Sequence, residues 1–274
     1  PLKIIHIIDY LGFGGAQTLV KGILESQQEN HDIYVFALRQ GRAMVRIYHQ
    51  NVINYEATAR YSLAPLKDLR TLTQEINADI LHCHLYRSQV FGYLLKRFYF
   101  SDIKLIFHEH GLIIDSDREN PLEKYLYKYF TRLASKNVNM YIAVSYFARN
   151  KLLEQGKITE NKSTVLYNFV DLKKFNPGLK RNVAEERKKL GLQKDDFVVG
   201  FAGRIIRRKG WREYVKAARI LSETIPNLKF FISGDGYEKN DLLALIKQYA
   251  LQERIIFLGY FSEMSLFYSY LDCF

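Results

Sequence analysis

Three loops and two histidine pairs carry residue types and spacings that could do chemistry. In "HIIDYLGFGGAQTLV", which begins at His6, Gly12, Gly14 and Gly15 stand directly behind an apolar run. Glycines there let a ligand approach the backbone, and the first-turn amides of a following helix attract phosphate. A dinucleotide fingerprint would need glycine at position 17, which is Gln17, and Gly156-Lys157 is followed by Ile158 where a P-loop needs Ser or Thr. The loop is therefore a phosphate cradle of another kind or a tight strand-to-helix turn. "FAGRIIRRKGW" (201–211) sets Gly203-Arg204 at a strand end and Lys209-Gly210 at the next helix start. A planar guanidinium and a point-charge ammonium beside a positive helix terminus make a diphosphate clamp. The plainer reading, with Arg207 and Arg208 alongside, is a solvated basic loop. "FISGDGYEKNDL" (231–242) ends the next strand in Gly234, Asp235 and Gly236, a second loop open to close backbone approach or a simple turn.

The histidine pairs are "HCH" (His82, His84) and "HEH" (His108, His110). The strand period of two puts both imidazoles of a pair on one face. With Asp115 and Asp117 they could ligate zinc or another divalent ion in a hydrolase; polar strand ends reaching into a cleft explain them equally. "DSD" (115–117) also matches a metal-holding Asp-x-Asp, but in a long loop it reads as chance. Ser145 in "AVSYFARN" follows a strand without a Gly-x-Ser-x-Gly setting, and is expected to cap a helix. In "PLEKYLYKYFTRLASKN" the cations Lys124, Lys128, Arg132 and Lys136 recur every four residues, with Tyr125, Leu126, Tyr129, Phe130 and Leu133 on adjoining faces. Such a helix either packs its aromatic side on a sheet or docks on anionic lipid. Arg39, Arg42 and Arg46 add a second basic patch.

The elements that must position these residues alternate. Apolar strand candidates lie at 2–9, 32–38, 79–85, 103–108, 139–144 and 163–167, with helical periods at 16–28, 65–77, 86–99, 121–136 and 145–155. After a charged, Pro-Gly-containing stretch the pattern restarts: strands at 197–202, 228–233 and 254–259, helices at 209–223, 238–250 and 263–270. This predicts an α/β chain of two Rossmann-like, doubly wound parallel-sheet domains. The boundaries are 1–168, a linker and domain start at 169–195, and 196–274. The second series stops at "YLDCF" after three strands, against at least six in the first, so that domain is expected to be incomplete. The 274 residues are 48% hydrophobic and 25% charged, an ordinary globular mixture. No run reaches the roughly 18 apolar residues of a spanning helix, and no leader is visible. A cytoplasmic protein is expected, with Cys83 and Cys273 as reduced core residues. The formal charge of +11 favours anionic partners. Nucleic acid is not expected among them, since no recognition module is visible.

Taken in order, the Gly-Gly loop, "HEHG", "VSYFARN", "YNFVDLKKFNP", "GRIIRRKG", "SGDGYEKNDL" and "IIFLGYFSEMSLFYSYLD" resemble the group 1 (family 4) retaining glycosyltransferases of GT-B fold, over essentially the whole chain. The resemblance implies a nucleotide-sugar donor and a glycan or lipid-linked acceptor, in surface polysaccharide, lipopolysaccharide or glycolipid assembly. Arg204 and Lys209 would grip the donor diphosphate, with Gly14 and Gly15 closing over it and Gly234, Asp235 and Gly236 forming a donor loop. His110 would lie near the transferring sugar. Neither a protein nucleophile, a cofactor nor a metal is implied. Lys124, Lys128, Arg132 and Lys136 would face an anionic surface, placing the protein peripherally at the inner face of a membrane. Two departures stand out. Phe169 in "NFVD" replaces the family's glycine, and the Glu-x7-Glu element that should follow "YLDCF" is not in the sequence. The alternatives are a metal-dependent hydrolase using the His-x-His pairs and a non-catalytic nucleotide- or glycan-binding remnant.

Overall fold

Ile4, Ile5, Ile7 and Ile8 are all buried in the first strand, β1 (Lys3–Ile8). A strand that is apolar on both faces belongs in the middle of a sheet covered on both sides. The computed structural model, which describes residues 1–12, 14–39, 51–55, 62–111, 121–156, 158–176 and 183–274, places it there. The chain forms two compact units, Pro1–Phe169 and Val170–Phe274.

In the first unit, β2 (Asp32–Ala37), β3 (Val52–Asn54), β4 (Ile80–His84), β5 (Lys104–Glu109), β6 (Met140–Ala143) and β7 (Ser163–Val165) join β1. Among the described residues they make one seven-stranded parallel sheet in the order β3-β2-β1-β4-β5-β6-β7. The chain runs outward from β1 in one direction and then from β4 in the other, so the switch point lies between these two strands. Helices α1 (Gly15–Gln27), α2 (Pro65–Glu75), α3 (Tyr86–Phe98), α4 (Pro121–Ala134) and α5 (Tyr146–Gly156) make the crossovers. Strand alternation sorts the core into two. Ile5, Ile7, Leu81, Cys83, Leu105 and Phe107 meet Phe91 and Leu95 of α3 on one face. Ile4, Ile8, Ile33 and Val35 meet Val20 and Leu24 of α1 on the other.

The second unit holds α6 (Val183–Lys189), β8 (Phe197–Ala202), α7 (Trp211–Ser222), β9 (Leu228–Ser233), α8 (Lys239–Gln248), β10 (Ile255–Gly259) and α9 (Met264–Ser269). Its parallel sheet has the order β10-β9-β8. Leu192, just after α6, packs with Val198, Phe231, Phe267 and Tyr270, so part of the stretch read as a linker belongs to this core.

Three readings need correction, and one strand has no counterpart among the expected elements. β3, only three residues long, is too short to show alternation in sequence. The helix expected at 209–223 begins at Trp211, because Gly210 at φ 75° breaks it from a 3-10 turn over Arg207–Lys209. α4 ends at Ala134, which leaves Lys136 in the following turn. Cys83 is buried as expected, but Cys273 is exposed. It pairs with Val199 in a single bridge along β8, the strand at the border of this sheet.

Candidate functional site

The period of two that sends Leu81, Cys83 and Phe107 to one face sends His82, His84 and His108 to the other. His6 lies beside His82 in register, and His84 beside His108. With His110, just past the end of β5, this gathers five imidazoles across β1, β4 and β5, at and next to the switch point. His6, His84 and His108 have essentially no exposed surface; His110 is half-buried. Ring nitrogens meet at His6 Nδ1···His84 Nε2 (2.9 Å), His84 Nδ1···His110 Nε2 (2.9 Å) and His82 Nε2···His108 Nδ1 (3.2 Å). A neutral imidazole has one donor and one acceptor, so His84 donates through one nitrogen and accepts through the other. Burial, with His108 nearby, pushes His6 and His110 down to about 3. Burial pushes His108 down to about 4. Burial and the neighbouring imidazoles hold His82 and His84 well below 6.5. The cluster is neutral at pH 7.

Sequence reading did not find the groups that fix the ends of these strands. Asp9, directly after β1, accepts from Arg39 through Oδ2 (2.8 Å) and from Arg87 through Oδ1 (2.8 Å). Burial alone would raise the Asp9 carboxyl, but the two guanidinium groups outweigh it and hold it below its ordinary value. Arg87 stands at the start of α3 and also donates to the Ser62 carbonyl, so one carboxylate ties the ends of β1 and β2 to a helix and a loop. Glu109, on the opposite face from the histidines, accepts from Gln89 of α3 (2.6 Å) and Tyr127 of α4 (3.2 Å). Its burial raises its pKa, and the two hydrogen bonds offset only part of that. Between them Leu85 takes φ 71° and ψ 161° at the turn from β4 into α3. For a residue with a side chain this costs about 1–3 kcal/mol, held by Ser88 Oγ donating to the Leu85 carbonyl (2.7 Å).

Gly14 and Gly15 open α1 and are exposed. A Cβ at Gly15 would meet nothing within 4 Å, so the fold's own packing does not require glycine there. Gln17 is buried and donates to the Tyr10 carbonyl (3.3 Å), which ties the loop down. Phe169, the departure from the family pattern, lays its ring over Gly22 of α1, where a Cβ would run into it.

In the second unit the apolar pair in "GRIIRRKG" decides what stays outside. Ile205 and Ile206 are buried, and Arg204, Arg207, Arg208 and Lys209 on either side are exposed. Among the described residues Arg204, Arg207 and Lys209 form no ion pair. The neighbouring loop is welded beneath them. Gly203 donates to the Ser233 carbonyl (2.9 Å), Ile205 to that of Asp235 (3.0 Å), and Glu238 to that of Ile205 (3.2 Å). A Cβ on Gly234, at φ 155°, would collide with the Gly203 carbonyl, and one on Gly236 with the backbone of Ile205. What approaches these two glycines is the cation loop itself.

Of the other sequence candidates, Ser145 caps α5, its Oγ accepting from the Ala148 amide (3.1 Å). Arg42, Arg46, Asp115 and Asp117 lie outside the described residues, as does the side chain of Lys124. Arg39 is paired with Asp9 and is no member of a free patch. α4 turns Tyr127, Thr131 and Ala134 inward. It leaves Leu122, Tyr125, Leu126, Tyr129 and Leu133 exposed, Tyr125 at 65%. Its aromatic side is therefore only partly spent on the sheet. Tyr129, Arg132, Leu133, Lys136, Ile158 and Lys162 border an open pocket of about 680 Å³ past the end of α4. That pocket sits at the amino-terminal edge of the strands, opposite the histidines. No described helix is long and apolar enough to cross a membrane.

The sequence pattern of Glycosyltransferase Family 4 matches residues 13–174, and that of the glycosyl transferases of group 1 matches residues 182–274. The chain is 26% identical over 213 residues to an Escherichia coli UDP-Gal:alpha-D-GlcNAc-diphosphoundecaprenol alpha-1,3-galactosyltransferase, covering 74% of this chain and 54% of that protein. It is 27% identical over 266 residues to N-acetyl-alpha-D-glucosaminyl L-malate synthase of Bacillus anthracis, covering 93% and 67%. The chain thus spans about half of the first relative and two thirds of the second. Anabaena HepE, solved with UDP and glucose, superposes with a TM-score of 0.80 at 19% identity, over 99% of this chain and 73% of that one. At that identity the likeness shows the fold, which is the expected GT-B type.

The histidine cluster sets the acid stability of the first unit. Its folded pKa values lie below the unfolded value of about 6.5, so unfolding takes up protons between pH 6.5 and about 3 and stability falls with pH across that window. Each histidine contributes a loss of up to about 1.4 kcal/mol per pH unit. Urea midpoints measured from pH 7.5 to 5 should fall from pH 6.5 downward, above the range of carboxylates with ordinary pKa values; Glu109, raised by burial, works in the opposite direction. A flat profile to pH 5 would show that the imidazoles are not held neutral.

Proposed function

Because this chain belongs to Glycosyltransferase Family 4, with a second unit of the group 1 type, we propose that it moves a sugar from a nucleotide-sugar donor to a glycan or lipid-linked acceptor, with retention at the anomeric carbon. The observation that carries the reading is the exposed trio of Arg204, Arg207 and Lys209, without ion-pair partners among the described residues, ahead of α7. In such a transfer the bond from the anomeric carbon to the diphosphate oxygen breaks and one to an acceptor oxygen forms. Charge develops on the diphosphate, and fixed cations that need no reorganisation stabilise it. Arg204 offers a fork to two phosphate oxygens, Lys209 a point charge, and the first turn of α7 its free amides. No metal is needed for this. Gly234 and Gly236 contribute by seating the cation loop.

In the first unit, the bare space at Gly15 suits close approach by a phosphate or an acceptor. His110, neutral and reachable at the end of its strand, suits a hydrogen bond to a sugar hydroxyl rather than proton delivery. The single-residue turn at Leu85, between β4 and α3, carries strain of the kind that accompanies a binding site, and it suits the acceptor side. The named substrate of the Escherichia coli relative and the UDP held by HepE favour a uridine nucleotide.

Turnover tests this. Release of nucleoside diphosphate from UDP-, GDP- and ADP-sugars is expected for one nucleotide class, with kcat/KM lowered by roughly 10²–10³ in Arg204→Ala. Release unchanged by that substitution contradicts the clamp, and binding without release with any acceptor favours a nucleotide-binding remnant.

Docking on an anionic membrane belongs to the same proposal, with the protein working at the inner face from the cytoplasm. The exposed Tyr125, Leu126 and Tyr129 on α4, with Lys128 and Arg132 interspersed, suit the boundary between headgroups and acyl chains. Flotation with vesicles of phosphatidylglycerol and phosphatidylcholine is expected to recover the protein on the anionic ones. Tyr125→Ser with Leu126→Ser should cut partition by about tenfold or more, given roughly 1.5–3 kcal/mol for each buried apolar side chain. Equal recovery on neutral vesicles would remove the role given to the cations.

A further inference from the structure

The histidine cluster contains more ligating capacity than a transfer site uses. His6 Nε2 and His108 Nε2 are buried and have no hydrogen-bond partner among the described residues. A buried polar nitrogen left unmatched costs about 1–3 kcal/mol, and such a group marks a place where a water or an ion belongs. His84, His108 and His110 each offer one ring nitrogen, all within 4.8 Å of one another; His6, His82 and His84 do the same.

We propose that His84, His108 and His110 bind a divalent transition-metal ion of borderline softness, with Zn²⁺ the expected occupant. The rings of His108 and His110 stack with centroids 4.3 Å apart and planes 17° apart, so they present their edges side by side. His84 faces them from the neighbouring strand, with its Nδ1 2.9 Å from His110 Nε2. Two nitrogens bound to one tetrahedral zinc at about 2.0–2.1 Å stand roughly 3.3 Å apart. The nitrogens part by only a few tenths of an ångström to admit the ion, and the two rings, which face each other along the hydrogen bond with centroids 5.1 Å apart, turn to converge on it. Tautomers follow. If His108 Nδ1 donates to His82 Nε2, the unmatched His108 Nε2 keeps its lone pair for the metal. If His84 Nε2 donates to His6 Nδ1, its Nδ1 is likewise free. His82 and His6 then orient the ligands, as the outer partners of metal-bound imidazoles do. The other triad is sealed, whereas half-buried His110 gives this one an entrance. Three imidazoles with a fourth position open suit zinc, copper(II), nickel(II) or cobalt(II) rather than magnesium or calcium. His110 binds the ion through Nε2, the atom that meets His84, and keeps its Nδ1–H for the hydrogen bond to a sugar hydroxyl, so the ion itself enters no step of the transfer proposed above.

Titrating the metal-stripped chain with Co²⁺ tests the site without any activity assay. The expected result is an intense tetrahedral visible band that saturates at one equivalent and is bleached by Zn²⁺. His108→Ala and His110→Ala should each weaken binding by about tenfold or more, while His31→Ala, outside the cluster, leaves it unchanged; circular dichroism checks that each variant is folded. X-ray absorption on the zinc-loaded wild type, which needs no variant, should show three imidazoles. No saturable band overturns the proposal. So does a band kept at full affinity by both His108→Ala and His110→Ala, or a zinc shell with fewer than three imidazoles.

Discussion

A parallel sheet covered on both faces leaves only the ends of its strands free to meet a ligand, and the rest of this structure follows from that constraint. Every crossover helix of the first unit starts at the carboxyl edge, so the loops that lead into them collect there. The side chains that set that edge are polar and buried or half-buried. Asp9 holds two arginines, Glu109 ties two helices to β5, and five histidines fill the other face across three strands. Apolar residues at these positions would pack with less desolvation penalty. Their polarity fixes the positions of the strand ends, and the strained Leu85 sits among them.

The second unit solves the same problem with less. Its cation loop is held by a buried isoleucine pair and by backbone hydrogen bonds to the loop after β9. Glycine is required there for close approach, but by the protein's own backbone. The groups left for an anion are the cations and the amides ahead of α7. Glycine-rich loops are often read as ligand cradles; in this unit they are mortar between two loops, whereas Gly15 in the first unit has open space around it.

Much of this was legible in the sequence. Apolar runs such as "KIIHII" and "FVVGFA", alternating with helical period, place every expected strand and helix within two residues of where it lies. The same alternation pairs His82 with His84. What was hidden depends on register between strands distant in sequence. His6 joins the cluster only because β1 lies against β4, and Asp9 meets Arg87 across 78 positions. No local spacing signals either. α4 misleads for a different reason: its period shows two apolar flanks, and only the packing shows that Tyr127 and Ala134 go inward and Tyr125 and Tyr129 do not. Cys273 looks like a core residue by its neighbours, yet it lies on an edge.

The central claim is that a nucleotide diphosphate is held by the cation loop of the second unit. Calorimetric titration of UDP, GDP and ADP into the metal-stripped chain tests it most directly, with Arg204→Ala measured beside the wild type. Saturable binding of at least one nucleotide is predicted, weakened roughly 10- to 100-fold by the substitution, as expected for a charge-assisted contact of about 1.5–3 kcal/mol. Binding of equal strength in both proteins, or none in the wild type, would contradict it.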